Sequence, residues 1–141
     1  MIKSFRGITD SSTTVTIRLS TNNGLIGYRI KKFQVMAKEP HQNYEILGTI
    51  FTTDPGAVSA NANLGNPLVI GVSFNGLADG KYAGDKTVIM DHVVVNQDLF
   101  CTFIDSGGGT QEINYYIELE QVKLSTDEAT VATLKDMRGR E

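Results

Sequence analysis

Between Asp98 and Leu124 the chain alternates residue by residue on either side of a glycine cluster. Leu99, Cys101 and Phe103 fall on one face, and Phe100, Thr102 and Ile104 on the other. Further on, Ile113, Tyr115, Ile117 and Leu119 share a face, while Asn114, Tyr116, Glu118 and Glu120 take the opposite one. A period of two is the signature of an extended strand, whose successive side chains point to opposite sides of a sheet. Gly107, Gly108 and Gly109 lie between the two runs and tolerate the positive φ of a tight reversal. The stretch therefore reads as a β-hairpin. Its first strand is apolar on nearly both faces and belongs in the middle of a sheet; its second has one wet face.

The same pattern recurs upstream. Ile2–Gly7 reads as a short strand. In Thr13–Ser20, Val15, Ile17 and Leu19 alternate with Thr14, Thr16 and Arg18. Asn22-Asn23-Gly24 follows, a strong hairpin turn toward Tyr28 and Ile30. Phe33, Val35 and Ala37 continue that strand with the parity shifted by one, which predicts a bulge at Lys31-Lys32 with two solvated side chains. Tyr44–Thr52 is a further strand, and Leu68–Asn75 an interior one. Gly76–Lys86 reads as a turn-rich connection, and Thr87–Val95 as a strand broken near Asp91-His92. Past Glu120 the parity shifts again, which predicts a second bulge or a strand that leaves one sheet.

Two segments break the β pattern. Thr53–Pro67 is long, irregular and rich in Ala, Asn, Gly and Ser; loops of this length in a compact domain are often functional. Ser125-Thr126-Asp127-Glu128 is a capping box, and Ala129–Met137 carries helix formers with Val131 and Leu134 on one face. Arg138-Gly139-Arg140-Glu141 closes the chain as a basic last turn. A helix this short needs a docking surface. Together with the 53–67 loop it is expected to contact neighbours in an oligomer; the alternative is that it folds back on its own sandwich. The expected fold is all-β, a two-sheet antiparallel β-sandwich, jelly-roll-like, over 1–124, with 125–141 as the C-terminal helix or tail of the same domain. Ile17, Ile30, Val35, Ile70, Val72, Phe103, Tyr115 and Ile117 are its expected core.

Composition bounds the function. A chain of 141 residues fits one domain. Its single cysteine, Cys101, permits no internal disulfide and suits a reducing compartment. The first residues carry no apolar run like that of a signal peptide, and no window approaches the roughly 18 apolar residues of a membrane span. Net charge is −3, but residues 1–40 hold seven basic against two acidic residues and the rest six against fourteen. Either the two halves interleave and their charges mix, or the particle is dipolar and suits head-to-tail or acidic-partner contacts. Neither half is basic enough to predict nucleic-acid binding.

Chemistry is scarce. His41 and His92 are the only histidines, with no H-x-H or cysteine partner, so no transition-metal site is expected. Asp79, Asp85 and Asp91 offer oxygen donors but lack the spacing of a calcium loop. Cys101, between aromatics, reads as a small buried hydrophobe and not a nucleophile. No Lys-Ser/Thr follows Gly107–Gly109, so they form no phosphate loop. We expect no catalytic residue, no metal, no cofactor and no enzyme.

Four segments carry a family resemblance: Met-Ile-Lys-Ser-Phe-Arg-Gly-Ile at 1–8, Gly-Tyr-Arg-Ile-Lys-Lys-Phe at 27–33, Val-Asn-Gln-Asp-Leu-Phe at 95–100, and Asn-Tyr-Tyr-Ile-Glu-Leu-Glu at 114–120 with Leu124-Ser125. They resemble small virion proteins of marine tailed bacteriophages, of capsid or decoration type, over nearly the whole chain. The resemblance implies a non-enzymatic structural subunit, capsid-associated as a decoration or minor shell protein. It implies assembly in the host cytoplasm and residence in the virion, with copies of itself and other virion proteins, such as the major capsid protein, as partners. Neither nucleic acid nor membrane is an expected partner. The motifs are structural, and no functional residue carries over. The alternatives are a tail or adaptor subunit, or a β-sandwich ligand- or carbohydrate-binding module; the absence of tryptophan weighs against the last.

Overall fold

The computed structural model describes residues 1–20, 24–107 and 110–137. Eight strands and one helix follow in order: β1 (Ile2–Thr9), β2 (Thr13–Ile17), β3 (Ile26–Ala37), β4 (Tyr44–Phe51), β5 (Val69–Ala78), β6 (Lys81–Ile89), β7 (Leu99–Asp105), β8 (Ile113–Lys123) and α1 (Thr126–Met137). They form two antiparallel sheets, β1-β8-β3 and β2-β7-β4-β5-β6. The chain is an all-β sandwich with one short C-terminal helix. The chain crosses between the sheets at β1–β2, β2–β3, β3–β4 and β7–β8, and the strand order is that of a jelly roll, except that β6 pairs with β5 and does not close beside β3.

The sheets meet over the residues whose alternation pointed inward. Phe33, Ile46, Ile50, Leu99, Phe103, Ile113, Ile117 and Leu119 lie in one buried cluster. Phe103 stacks on Tyr115 across the interface, with ring centroids 5.0 Å apart, and meets Phe33 edge-on at 6.2 Å. Of the expected core, Tyr115 is only half-buried, and Val72 belongs to a second cluster on the outer face of the five-stranded sheet.

That stacking overturns the central hairpin. β7 pairs with β2 and β4, β8 with β1 and β3, and the two face each other across the core. The glycine connection is a corner between sheets; Gly108 and Gly109 lie outside the described residues. The physical reason is that two strands with apolar faces gain as much by stacking those faces as by pairing edges, and a period-two pattern does not distinguish the two. The Asn-Gly hairpin fails likewise, because β2 and β3 belong to different sheets; Asn22 and Asn23 lie outside the described residues.

Other boundaries also move. The expected 76–86 connection is a tight hairpin: β5 runs to Ala78, Asp79 and Gly80 turn with φ of 52° and 72°, and β6 begins at Lys81. Two positive φ values are those of a type I′ turn, whose twist matches paired strands. The expected 87–95 strand is instead the end of β6, which stops at Ile89; beyond it only Val95 bridges, to Tyr28. The bulge at Lys31-Lys32 is present, with both side chains exposed. The bulge expected past Glu120 is absent, since β8 runs in continuous register with β1, and with β3 from Ile26 to Ile30.

The acidic strand β8 lies between the two basic strands, so the charge halves interleave. Arg29 Nε donates to Glu120 Oε1 at 2.7 Å, and that contact, more than the opposing burial, holds the Glu120 carboxyl below its usual range.

Candidate functional site

The helix end, a groove beside it and the outer face of the large sheet have the shape of contact sites. The helix begins with its capping box formed. Glu128 N–H donates to Ser125 Oγ at 3.2 Å, and Ser125 N–H to Glu128 Oε1 at 3.1 Å. It folds back on its own chain. Ala129 and Ala132 are buried, and Asn96 Nδ2 donates to Ala129 O at 3.2 Å, Thr133 Oγ1 at 2.7 Å and Gly24 O at 3.1 Å. Val131 and Leu134, expected on one face of the helix, are 65% and 62% exposed. Small residues face the body because Asn96 must reach a helix carbonyl, which brings the backbones close. The residues 138–141 lie outside the described part.

Beside the helix end, a groove of about 600 Å³ is lined by Leu64, Pro67, Leu68, Met90 and Val93 with Lys135 at its rim. The 53–67 loop forms one wall. Its base is closed by Thr52 N–H donating to Leu68 O at 2.9 Å, and Asx turns at Asp54 and Asn63 shape its backbone.

The outer face of the five-stranded sheet is apolar. Leu47 and Phe51 from β4, Val72 and Phe74 from β5 and Ile104 from β7 cluster there with Val69. Phe51, Phe74 and Ile104 remain partly open to solvent, and Val88 of β6 is 44% exposed. The register puts Ile104, Leu47 and Phe74 side by side across three strands. The sequence carried this signal: β4, β5 and β7 are apolar on both faces, where a solvated outer face would be polar.

The residues weighed for chemistry are scattered. His41 is exposed in the loop that Gln111 clamps through Glu39 and Asn43. His92 is exposed in the turn after β6. Asp79, Asp85 and Asp91 are exposed at separate turns and strand positions. Among the described residues, no group of three or more His, Cys, Asp or Glu is placed to hold a metal ion. Cys101 is fully buried, and burial pushes its thiol up to about 12, which disfavours the thiolate. Among the described residues no helix is long and apolar enough to cross a membrane.

The polar residues that organise the fold went unread in the sequence. Asp105 is buried at the end of β7 and accepts from the N–H groups of Glu45, Gly107 and Gln111 at 2.9–3.0 Å. Asp98, at the other end, accepts from the N–H groups of Leu19 and Ser20 at 2.8 and 2.9 Å. Their signal is a carboxylate at each boundary of an apolar run. No known protein-family model matches the chain, and no curated protein matches it.

Proposed function

We propose that this chain is a non-enzymatic structural subunit of a bacteriophage particle, capsid-associated as a decoration or minor shell protein. Its partners are copies of itself and other virion proteins. The observation that carries the reading is the apolar outer face of the five-stranded sheet, around Leu47, Phe51, Val72, Phe74 and Ile104. Leu47, Val69 and Val72 are buried within the chain, while Phe51, Phe74 and Ile104 stay partly open beside them, and contiguous exposed apolar patches mark protein contact sites. Val131 and Leu134 on the helix add a second, separate patch. Two apolar patches suit a subunit with several neighbours better than a module with one ligand. The jelly-roll order agrees with this reading, although the same architecture also serves lectins and small-molecule enzymes.

The test has two parts. Sedimentation of the purified protein is expected to show assemblies larger than the 15.4 kDa chain, and Phe74→Glu to reduce them to monomers. Peptide mapping of purified particles is expected to recover the chain. A monomer at all concentrations that is absent from particles refutes the proposal. A ligand-binding module is the second reading, favoured by the groove under Leu64, Met90 and Val93 with a cationic Lys135 at its rim. Saturable binding of an apolar anion, lost in Lys135→Glu, would favour it.

A further inference from the structure

The three-stranded sheet has two edges, and they are treated differently. On β3, every second residue turns its backbone away from β8. Tyr28 exchanges hydrogen bonds with Val95 at 2.7 and 2.9 Å. Thr87 Oγ1 reaches Phe33 O at 3.4 Å, and Asn75 Nδ2 reaches Val35 O at 3.5 Å. That edge is covered. On β1, Gln121 N–H donates to Met1 O at 2.9 Å, so the pair at Met1 is a hydrogen-bonded one. The even β8 positions 112 and 124 bond toward β3 instead, to Lys38 and Leu25. The alternation of an antiparallel ladder then directs the N–H and C=O groups of Lys3, Phe5, Gly7 and Thr9 to β8, and those of Ser4, Arg6 and Ile8 outward. Among the described residues nothing covers them.

The neighbouring edge of the other sheet is open as well. Ser106 N–H bonds to Glu45 O, so even β7 residues serve β4 and odd ones serve β2. The backbones of Thr14 and Thr16 on β2 therefore also point outward. Between the two edges runs a groove of about 540 Å³, with Phe5, Val15, Ile17 and Tyr115 as its apolar floor and Arg6 and Arg18 on its lips. Lys3 stands at one end of β1. Within residues 1–20 the only acid is Asp10, in the turn; Asp98 approaches Arg18 at 4.0 Å, yet the Arg18 side chain remains 84% exposed.

We propose that the β1 edge is a docking site for an extended segment of a partner protein, added as a ninth strand and alternating apolar with acidic residues. The exposed N–H and C=O row supplies the main-chain bonds of strand addition. The floor takes the inward apolar side chains, and Arg6 and Arg18, which line the groove, take the acidic ones; Lys3 lies on the face of Phe5, its Nζ 5.8 Å from the centre of the Tyr28 ring. A second copy is a poorer occupant, because pairing β1 with itself brings two copies of Arg6 and Arg18 together. The proposal does not depend on the chain being a particle subunit.

The probe is a capped eight-residue peptide of alternating valine and glutamate. It is expected to slow amide exchange at Ser4, Arg6 and Ile8 and to bind more weakly as salt rises. The same peptide with lysine for glutamate is expected not to bind. Arg6→Glu should weaken the glutamate peptide by about tenfold. Ser4→Pro should abolish binding while leaving the β8 pairing intact, because the lost N–H points outward. If Ser4→Pro does not fold, the glutamate peptide N-methylated at alternate amides takes its place and should not bind. The proposal is overturned if those three amides gain no protection, or if the lysine or N-methylated peptide binds as well. It is equally overturned if the protein alone sediments as a dimer with these amides already protected.

Discussion

The β5–β6 and β7–β8 connections both reverse the chain at glycine, yet one closes a hairpin within a sheet and the other carries the chain from one sheet to the other. In the first, Asp79 and Gly80 turn in open space: a Cβ at Gly80 would meet no atom within 4 Å. The geometry is local, and glycine is needed there for its φ of +72°. In the second, a Cβ at Gly107 would meet Glu45 N at 2.7 Å and two backbone atoms of Tyr44 at 2.8 and 2.9 Å. Glycine is needed there because another strand passes against it. The corner is then locked by the Asp105 carboxylate, which gathers one N–H from β4 and two from the corner itself. A hairpin turn is made by its own residues; a corner is made by what the residues reach.

The largest expected effect follows from that lock. Asp105→Ala strands three half-buried donors and should cost about 3–5 kcal/mol in denaturant unfolding. A loss under about 1 kcal/mol would mean that the corner holds without its carboxylate. Next comes the pair of glycines. Gly107→Ala should cost about 2–3 kcal/mol by crowding backbone that cannot yield. Gly80→Ala should cost about 1 kcal/mol through its left-handed φ alone. Equal costs, or the reverse order, would break the distinction between the two reversals.

The smallest effect tests whether a carboxylate clamp is peculiar to the corner. Asp98 holds the other end of β7. Burial opposes its ionisation, but the N–H groups of Ser20 and Leu19, the Ser20 hydroxyl and Arg18 together hold its carboxyl below the usual value. A group with a lowered folded pKa stabilises the fold fully above its unfolded pKa, near about 3.9, and loses that contribution as pH falls through the folded pKa. The stability gap between wild type and Asp98→Asn should therefore be wider at pH 7 than at pH 3. A gap independent of pH would show that the clamp works through shape and not charge.

Much of the architecture was legible residue by residue. The strands at Thr13–Ile17, Tyr44–Phe51, Leu99–Asp105 and Ile113–Lys123 follow their alternation, and β7 is central because it is apolar on both faces. The bulge at Lys31-Lys32 showed as a break in parity, and the helix start as a capping box. The apolar outer sheet face was written in β4, β5 and β7, though its meaning as a contact surface emerged only once the register set Ile104, Leu47 and Phe74 side by side. Val131 and Leu134 share a face as their spacing implies, but helical spacing does not say which way that face turns; Asn96, distant in sequence, contacts Ala129 and Thr133, and Val131 and Leu134 are left open.

From its sequence alone this chain is bound to be a β protein: period two is a property of backbone geometry, and it acts within four or five residues. Which strands lie side by side is another matter. Phe103 and Tyr115 satisfy the same pattern whether paired in one sheet or stacked across two, and the choice between them rests on contacts with Glu45, Gln111 and Phe33 that no local pattern encodes. Tertiary structure decided the same for the edges. β1 and β3 look alike as strands, but Val95, Asn75 and Thr87 reach β3 and not β1, so of these two edges it is the β1 backbone that is uncovered among the described residues.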